Sequence, residues 1–383
     1  MTKKEKLISI LPYLVLILFF VSYVAIIVPA YSEWINQFFD FDDTRFMIIN
    51  VSSMILTMIF MYIILTIFVI IHELGHLVFG INAGLKFDSF CFLWFVIQKQ
   101  ENKIKLIMKP MISGVGGYCS LRIENAKHRD LNKIKLFYMG GVIFNFISAF
   151  VFFVFSLFTQ NIYIDTILWG CIITNLYLAL NNILPTTVSS GLEIDMLHVN
   201  YCNSDPHYMN TLYIHQCATD LLNEEKTFDS LQLKMPSSFN TISDILLSNL
   251  YVENLIFHSQ YEEAMLHITN VLTNATHLLN KRHIQLFKIQ KINCLLNMAA
   301  SSEELKKVWD KDLEQFITTM SAFSPSLIAY NYLNATIIEN NEKKAQKYKH
   351  QFAKVNKNNY PKYEIKDAEN LFKKIEEYLS KKQ

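Results

Sequence analysis

Proline and glycine are scarce in this chain, with 8 Pro and 10 Gly in 383 residues. That excludes a collagen-like repeat and a disordered Pro/Gly-rich linker protein. Excess charge is missing too. Lys+Arg 35 against Asp+Glu 34 leaves a formal net charge of +1, which lacks the basic footprint of a nucleic-acid binder. The six cysteines, Cys91, Cys119, Cys171, Cys202, Cys217 and Cys294, show no C-x-x-C spacing. They read as unpaired, mostly buried thiols in a reducing compartment.

What is abundant is apolar character, 51% of residues with 14% aromatic, concentrated in the first half of the chain. Leu7 to Ala30 carries no charge and exceeds the roughly 20 residues that a membrane-spanning helix needs. It is also longer than the roughly 7–15 residues of a signal-peptide core, so it reads as an uncleaved anchor. Further runs extend from Phe46 to Ile71, from Leu136 to Phe158, and from Ile162 to Leu184, the last interrupted only by Asp165. Four spans are expected.

Lys and Arg in short flanking loops set orientation. "MTKKEK" precedes the first span, and the loop from Tyr31 to Arg45 is acidic, with Glu33, Asp40, Asp42 and Asp43. The segment from Ile81 to Lys135 is rich in Lys and Arg. The N-terminus and that segment are therefore expected inside. Within it, "FCFLWFVIQKQENKIKLIMKP" (Phe90 to Pro110) reads as a strand, a polar turn at "KQEN" and a second strand, a β-hairpin at the membrane face. "SGVGGYCSL" (Ser113 to Leu121) follows; its glycines suit a close backbone approach, a bend or a plain surface loop.

The second apolar run ends in "VIIHELGHLVFG", Val69 to Gly80. His72 and His76 are four apart, so a helix stacks them on one face where both imidazoles can reach one metal ion. Glu73, about 100° around the helix, can take a proton from a water activated by that ion. H-E-x-x-H on a helix is the zinc metalloprotease signature, and ionisable residues inside a span mark a functional site by default. The plain alternative is a histidine pair satisfied by neighbouring helices, with Glu73 as counter-ion. A catalytic zinc takes a third protein ligand. After the fourth span, "NNILPTTVSSGLEIDMLHVN" (Asn181 to Asn200) offers Glu193, Asp195 and His198.

Taken in order, "HELGH" in a span, "GVGGY" after a hairpin-like loop, "MGGVIFN" (Met139 to Asn145) opening the third span and "NNILP" closing the fourth resemble the site-2 proteases. These are intramembrane zinc metallopeptidases that cut membrane-embedded segments. The resemblance covers roughly residues 46 to 198. It implies a third ligand after the N-x-x-P motif, which here is Asn182 to Pro185, and it carries that ligand onto Asp195, with Glu193 the runner-up. Met196 stands where the family has Gly. The resemblance also implies Asn182 as an oxyanion donor, with Asn145 a weaker candidate; either amide also suits packing between helices.

Beyond His198 no run is long enough to span. From Asn249 onward the pattern is helical with short breaks, and the intervals fall in the range of tetratricopeptide-type repeats of about 34 residues. The expected fold is mainly α: a four-span membrane domain with a membrane-associated β-hairpin over 1–198, and a cytoplasmic, tetratricopeptide-like helical domain over 199–383. The expected function is an intramembrane zinc endopeptidase. Zinc is its cofactor, a membrane-embedded peptide or single-span protein its substrate, and a cytoplasmic peptide or protein the partner of the helical half. The rival is a catalytically inactive relative that binds a peptide or partner. A metal transporter fits less well, because only one span carries a ligand cluster. Richness in Lys, Asn and Ile points to a low-GC bacterium and hence a plasma membrane.

Overall fold

The structure, a computed structural model, describes residues 21, 43–100, 103–109, 115–124, 130–187, 191–321 and 323–380. The expected first span, 7–30, lies outside the described residues apart from Val21. The other three are present. Helix α1 (Asp43–Asn82) runs for 40 residues, about 60 Å at ~1.5 Å per residue and roughly twice a hydrocarbon core. It is followed by α2 (Leu131–Ser156) and α3 (Ile162–Ile183). The stretches Met58–Asn82, Leu131–Ser156 and Ile164–Ile183 are each long and apolar enough to cross a membrane. Asp130 caps α2 by accepting from the Asn132 backbone N–H at 2.9 Å, which fixes where that helix begins.

The three helices pack around Ile64, Phe68, Cys171 and Leu178, with Phe68 meeting Phe152 edge-on at 5.5 Å. Their outer faces leave Ile63, Ile67, Ile147, Phe150, Phe155 and Ile164 exposed. Aliphatic and aromatic side chains on the outside of a bundle are the pattern of helices solvated by lipid rather than water. The chain has the architecture of a membrane protein.

Between α1 and α2 lies a four-stranded antiparallel sheet in the order β3-β2-β1-β4. Its strands are β1 (Lys86–Phe92), β2 (Phe95–Gln100), β3 (Lys103–Met108) and β4 (Gly117–Arg122). The expected hairpin exists as the antiparallel pair β2–β3, in register from Phe95 opposite Met108 to Gln100 opposite Lys103, but it is half of a larger unit. "FCFLWFV" is not one strand, because the chain reverses at Leu93 and Trp94, with Leu93 in the left-handed region at φ 52°. No Gly, Asn or Asp marks that turn, so alternation alone hid it. "GYCSLR", Gly117–Arg122, is strand β4, paired to β1. Phe90, Cys91 and Val96 are buried, while β3 exposes Ile104, Leu106 and Met108.

The rest of the chain is helical: α4 (Asp195–Ser204), α5 (Tyr208–Asn223), α6 (Ile242–Phe257), α7 (Tyr261–Asn274), α8 (Lys281–Asn297), α9 (Ser302–Val308), α10 (Lys311–Met320), α11 (Pro325–Leu333), α12 (Glu342–Ala353) and α13 (Lys362–Ser380). Capping boxes at Thr241/Asp244 and Ser301/Glu304 start α6 and α9, satisfying amides that a helix leaves bare. Asp205, buried between α4 and α5, accepts from the backbone N–H groups of His207 and Ser243, both at 2.9 Å, and so pins the entry to α6.

One hydrophobic cluster joins Leu85, Leu121, Ile134 and Phe137 to Tyr208, Ile245, Ile268 and Phe287. A second, around Ile292, Leu313, Ile317, Leu333 and Ile375, fills the C-terminal helices. All six cysteines are unpaired.

Candidate metal centre

From Phe46 to Gly80 the only acidic or basic residues of α1 are His72, Glu73 and His76, and all three are buried, at 6%, 7% and 5% exposure. The i, i+4 spacing brings the imidazoles together with ring centroids 4.9 Å apart. Space for them comes from α2. A β-carbon at Gly140 would stand 2.5 Å from Gly75 O, so the two backbones touch; one at Gly141 would stand 2.4 Å from the His72 ring. Small residues are what allow helices to approach this closely, and "MGG" supplies them opposite "HELGH".

Asp195 arrives from the other side as the first residue of α4. Its Oδ2 lies 3.1 Å from His72 Nε2 and 3.2 Å from His76 Nε2, and the two Nε2 atoms lie 3.3 Å apart. Burial alone would raise this carboxyl, but the His76 and His72 imidazoles outweigh it and hold Asp195 well below the usual carboxylate range.

The donor set fits a zinc ion. Ligand atoms about 2.0–2.1 Å from a tetrahedral ion stand about 3.3–3.4 Å from one another, close to the three separations found. Hydrogen bonds alone satisfy the trio poorly. His76 Nδ1 donates to Phe137 O at 2.8 Å, which fixes the tautomer with a bare Nε2. His72 Nδ1 meets the Asn145 side-chain amide at 3.2 Å, and Asn145 Oδ1 is buried without a partner. Turning that amide over lets Oδ1 accept the Nδ1 proton and bares His72 Nε2 as well. Two bare nitrogens and a carboxylate converging on one point form a candidate cation site. Asn145, fully buried, therefore sits against the His72 ring.

Glu73 lies beside this group without joining it. Its carboxylate interacts with the backbone of Cys119 in β4, and a β-carbon at Gly117 would stand 3.0 Å from Glu73 Cγ. The sheet thus reaches the site through the "GG" of "GVGGY".

The other sequence candidates lie elsewhere. Glu193 Oε1 accepts from Tyr201 Oη at 3.0 Å and Asn280 Nδ2 at 2.8 Å. His198 stacks on Tyr138, with centroids 4.7 Å apart, and meets the Tyr208 hydroxyl at 2.6 Å. Asn182 Nδ2 donates to Leu178 O on its own helix at 2.9 Å, leaving one amide proton uncommitted. Met196 is the second residue of α4 and is absent from the positive-φ positions, so its backbone conformation does not call for glycine. Gly191, at φ 81°, packs on the backbone of Arg282.

The sequence model of peptidase family M50 matches residues 60–336. Searches of curated proteins and of solved structures give no match. Peptidases of this family are zinc-dependent membrane metallopeptidases. The match spans more than half of the chain and takes in the histidine pair, the sheet and the start of α4, so the chain belongs to peptidase family M50, the site-2 protease family.

Proposed function

We propose that this protein is an intramembrane zinc endopeptidase that cuts a membrane-embedded peptide or the span of a single-span protein. The observation that carries this is the convergence of His72 Nε2, His76 Nε2 and an Asp195 carboxylate oxygen within 4.8 Å of one another, with Glu73 adjacent and both histidines and Glu73 on an apolar helix. In this proposal the three residues hold zinc, which when bound supplies a Lewis acid that polarises a carbonyl and acidifies water. Glu73 takes the proton of the attacking water and delivers it to the departing amine nitrogen. Asn182, with its uncommitted amide proton, is the oxyanion donor after a rotamer change.

A helix in lipid keeps its carbonyls hydrogen-bonded internally, so a substrate must unwind before a peptide bond can react. The sheet supports a means of holding it: β4 is an edge strand, lies against Glu73, and can accept an added strand. The N-terminus and the helical half are cytoplasmic in this proposal, the membrane is a bacterial plasma membrane, and the helical half, a degenerate tetratricopeptide-like array, recruits a partner.

The test compares membrane-bound and released peptides from cells expressing the native protein and Glu73→Gln. Peptides cut within a membrane segment that vanish in the variant establish the protease and identify its substrate. Identical peptide sets, with both proteins stably expressed and zinc-loaded, refute catalysis and favour a binding protein descended from a protease.

A further inference from the structure

A cavity of about 700 Å³ opens in the helical half between α6, α8, α11 and α13, and it shares no residue with the metal centre. That volume is in the range of ligand sites. Its lining combines three chemistries. Phe257, Leu286, Ile289 and Leu327 provide apolar wall.

Amides provide the second. Gln290 Nε2 donates to Asn249 O at 3.0 Å while its Oε1 is buried without a partner. Asn293 Oδ1 accepts from Asn297, leaving the Asn293 amide protons for another acceptor. A carboxamide carries a donor and an acceptor side by side, the complement of a peptide unit. Tyr330, 5% exposed, adds a phenol to the lining. The buried, unpartnered Gln290 Oε1 costs free energy that a donor on a ligand would recover.

The third chemistry is negative charge. Glu253 on α6 and Asp367 on α13 both line the cavity. Burial and the charge of Asp367 push the Glu253 carboxyl up to about 7; Asp367 is supported by Ser326 and, at longer range, by Lys374. The cavity's lysines are already paired, Lys366 with Glu225 of the same lining at 2.8 Å and Lys226 with Glu224 at 2.6 Å. Arg282 also lines the cavity, but among the described residues neither Glu253 nor Asp367 forms an ion pair. Two carboxylates sharing a partly dry cavity are complementary to a cation and repel phosphates.

We propose that this cavity binds an extended peptide segment carrying a positive charge, its backbone on Asn249, Gln290 and Asn293 and its ammonium or guanidinium group between Glu253 and Asp367. The proposal goes beyond the protease assignment and stands whether or not the metal centre is catalytic.

The test uses the full-length protein in detergent micelles and pools of amidated hexapeptides. The pools are N-acetylated with one fixed Lys or Arg, N-acetylated with one fixed Glu, and uncharged in side chain with a free N-terminus. Retained peptides are identified by mass spectrometry. The native protein should retain a cationic pool at least about tenfold over the Glu pool, and Glu253→Gln/Asp367→Asn should erase most of that preference. Retention of the free-amine pool assigns the charge to the peptide's terminus, and retention of the acetylated pool assigns it to a side chain; either supports the site. Since the double variant replaces repelling acids with isosteric amides, its melting temperature is measured alongside. A second readout on the native protein guards against misfolding of the variant: hydrogen exchange in α6 and α13 should slow when a cationic pool binds. Equal retention of cationic and Glu pools overturns the proposal, as does a preference that survives in a folded double variant or protection confined to other helices.

Discussion

Glu193 Oε1 accepts a hydrogen bond from Asn280 Nδ2 at 2.8 Å, which fastens the segment delivering Asp195 to the residue that caps α8. Tyr201 holds the same oxygen, and His283 Nε2 stands 3.9 Å from it. Glu193 is thus placed to position a proposed ligand two residues away. Glu193→Ala should lower zinc affinity about 10–100-fold, the usual cost of losing a group that orients a ligand, and Glu193→Gln, which keeps the acceptor oxygen, should stay within about threefold. Zinc competition with a chromogenic chelator measures this directly. Equal losses in both variants would contradict the positioning role and restore Glu193 as a ligand candidate.

Separating metal binding from proton transfer gives a second prediction. Asp195→Ala should lose zinc, whereas Glu73→Gln should hold one zinc per chain and lose cleavage by about 10²–10⁴-fold. Metal analysis and a cleavage assay on the same preparations distinguish the roles. Zinc loss in Glu73→Gln would make Glu73 a ligand.

Helix crossing supplies a third. Gly141→Ala places a methyl 2.4 Å from the His72 ring, while at Gly116 the nearest neighbour is a Val69 methyl at 3.2 Å. Gly141→Ala should destabilise the protein by about 1–3 kcal/mol, the range for overpacking, and should also reduce zinc occupancy. Gly116→Ala should do neither to the same degree. Thermal melts and zinc content of the two variants check it.

Acid should weaken the helical half through His283. Burial, with Arg282 adding and Glu193 opposing, pushes this imidazole down to about 4 from 6.5. The folded state therefore resists a proton that the unfolded chain accepts. The stabilisation is complete above about pH 6.5 and is lost progressively as pH falls towards 4, by up to roughly 3 kcal/mol. His215, also pushed down to about 4, acts in the same window, while Glu253 and Glu364, pushed up to about 7, act in the opposite sense. The informative quantity is the difference between native and His283→Gln stability profiles, which should grow above pH 4 and level off near 6.5. A constant difference would contradict it.

The membrane helices were legible because a run of uncharged residues has few other ways to satisfy its backbone in lipid. The histidine pair was legible because helical spacing dictates its face. Asp195 was reachable only through the order of motifs, since Glu193 and His198 offer comparable ligand atoms and nothing local separates them. What separates them is distant: Asn280 and Tyr201 engage the first, Tyr138 and Tyr208 the second. The β1–β2 reversal was hidden because Leu93 adopts a conformation that glycine or asparagine usually marks. Met196 departed from the expected glycine, but the helix starts one residue earlier and accommodates a side chain there.

The cluster that runs from Leu85, Leu121 and Phe137 to Ile245 and Phe287 bears on biogenesis. Neither side of it can be completed by the other's absence: α6 to α8 emerge from the ribosome after every span has been made, and only then is the apolar underside of the sheet covered. Chains cut short near residue 200 would carry that surface bare and be targets for membrane quality control. Synthesis through α8 thus becomes a checkpoint on the proposed metal centre, because the residue that fastens the Asp195 segment, Asn280, caps that helix.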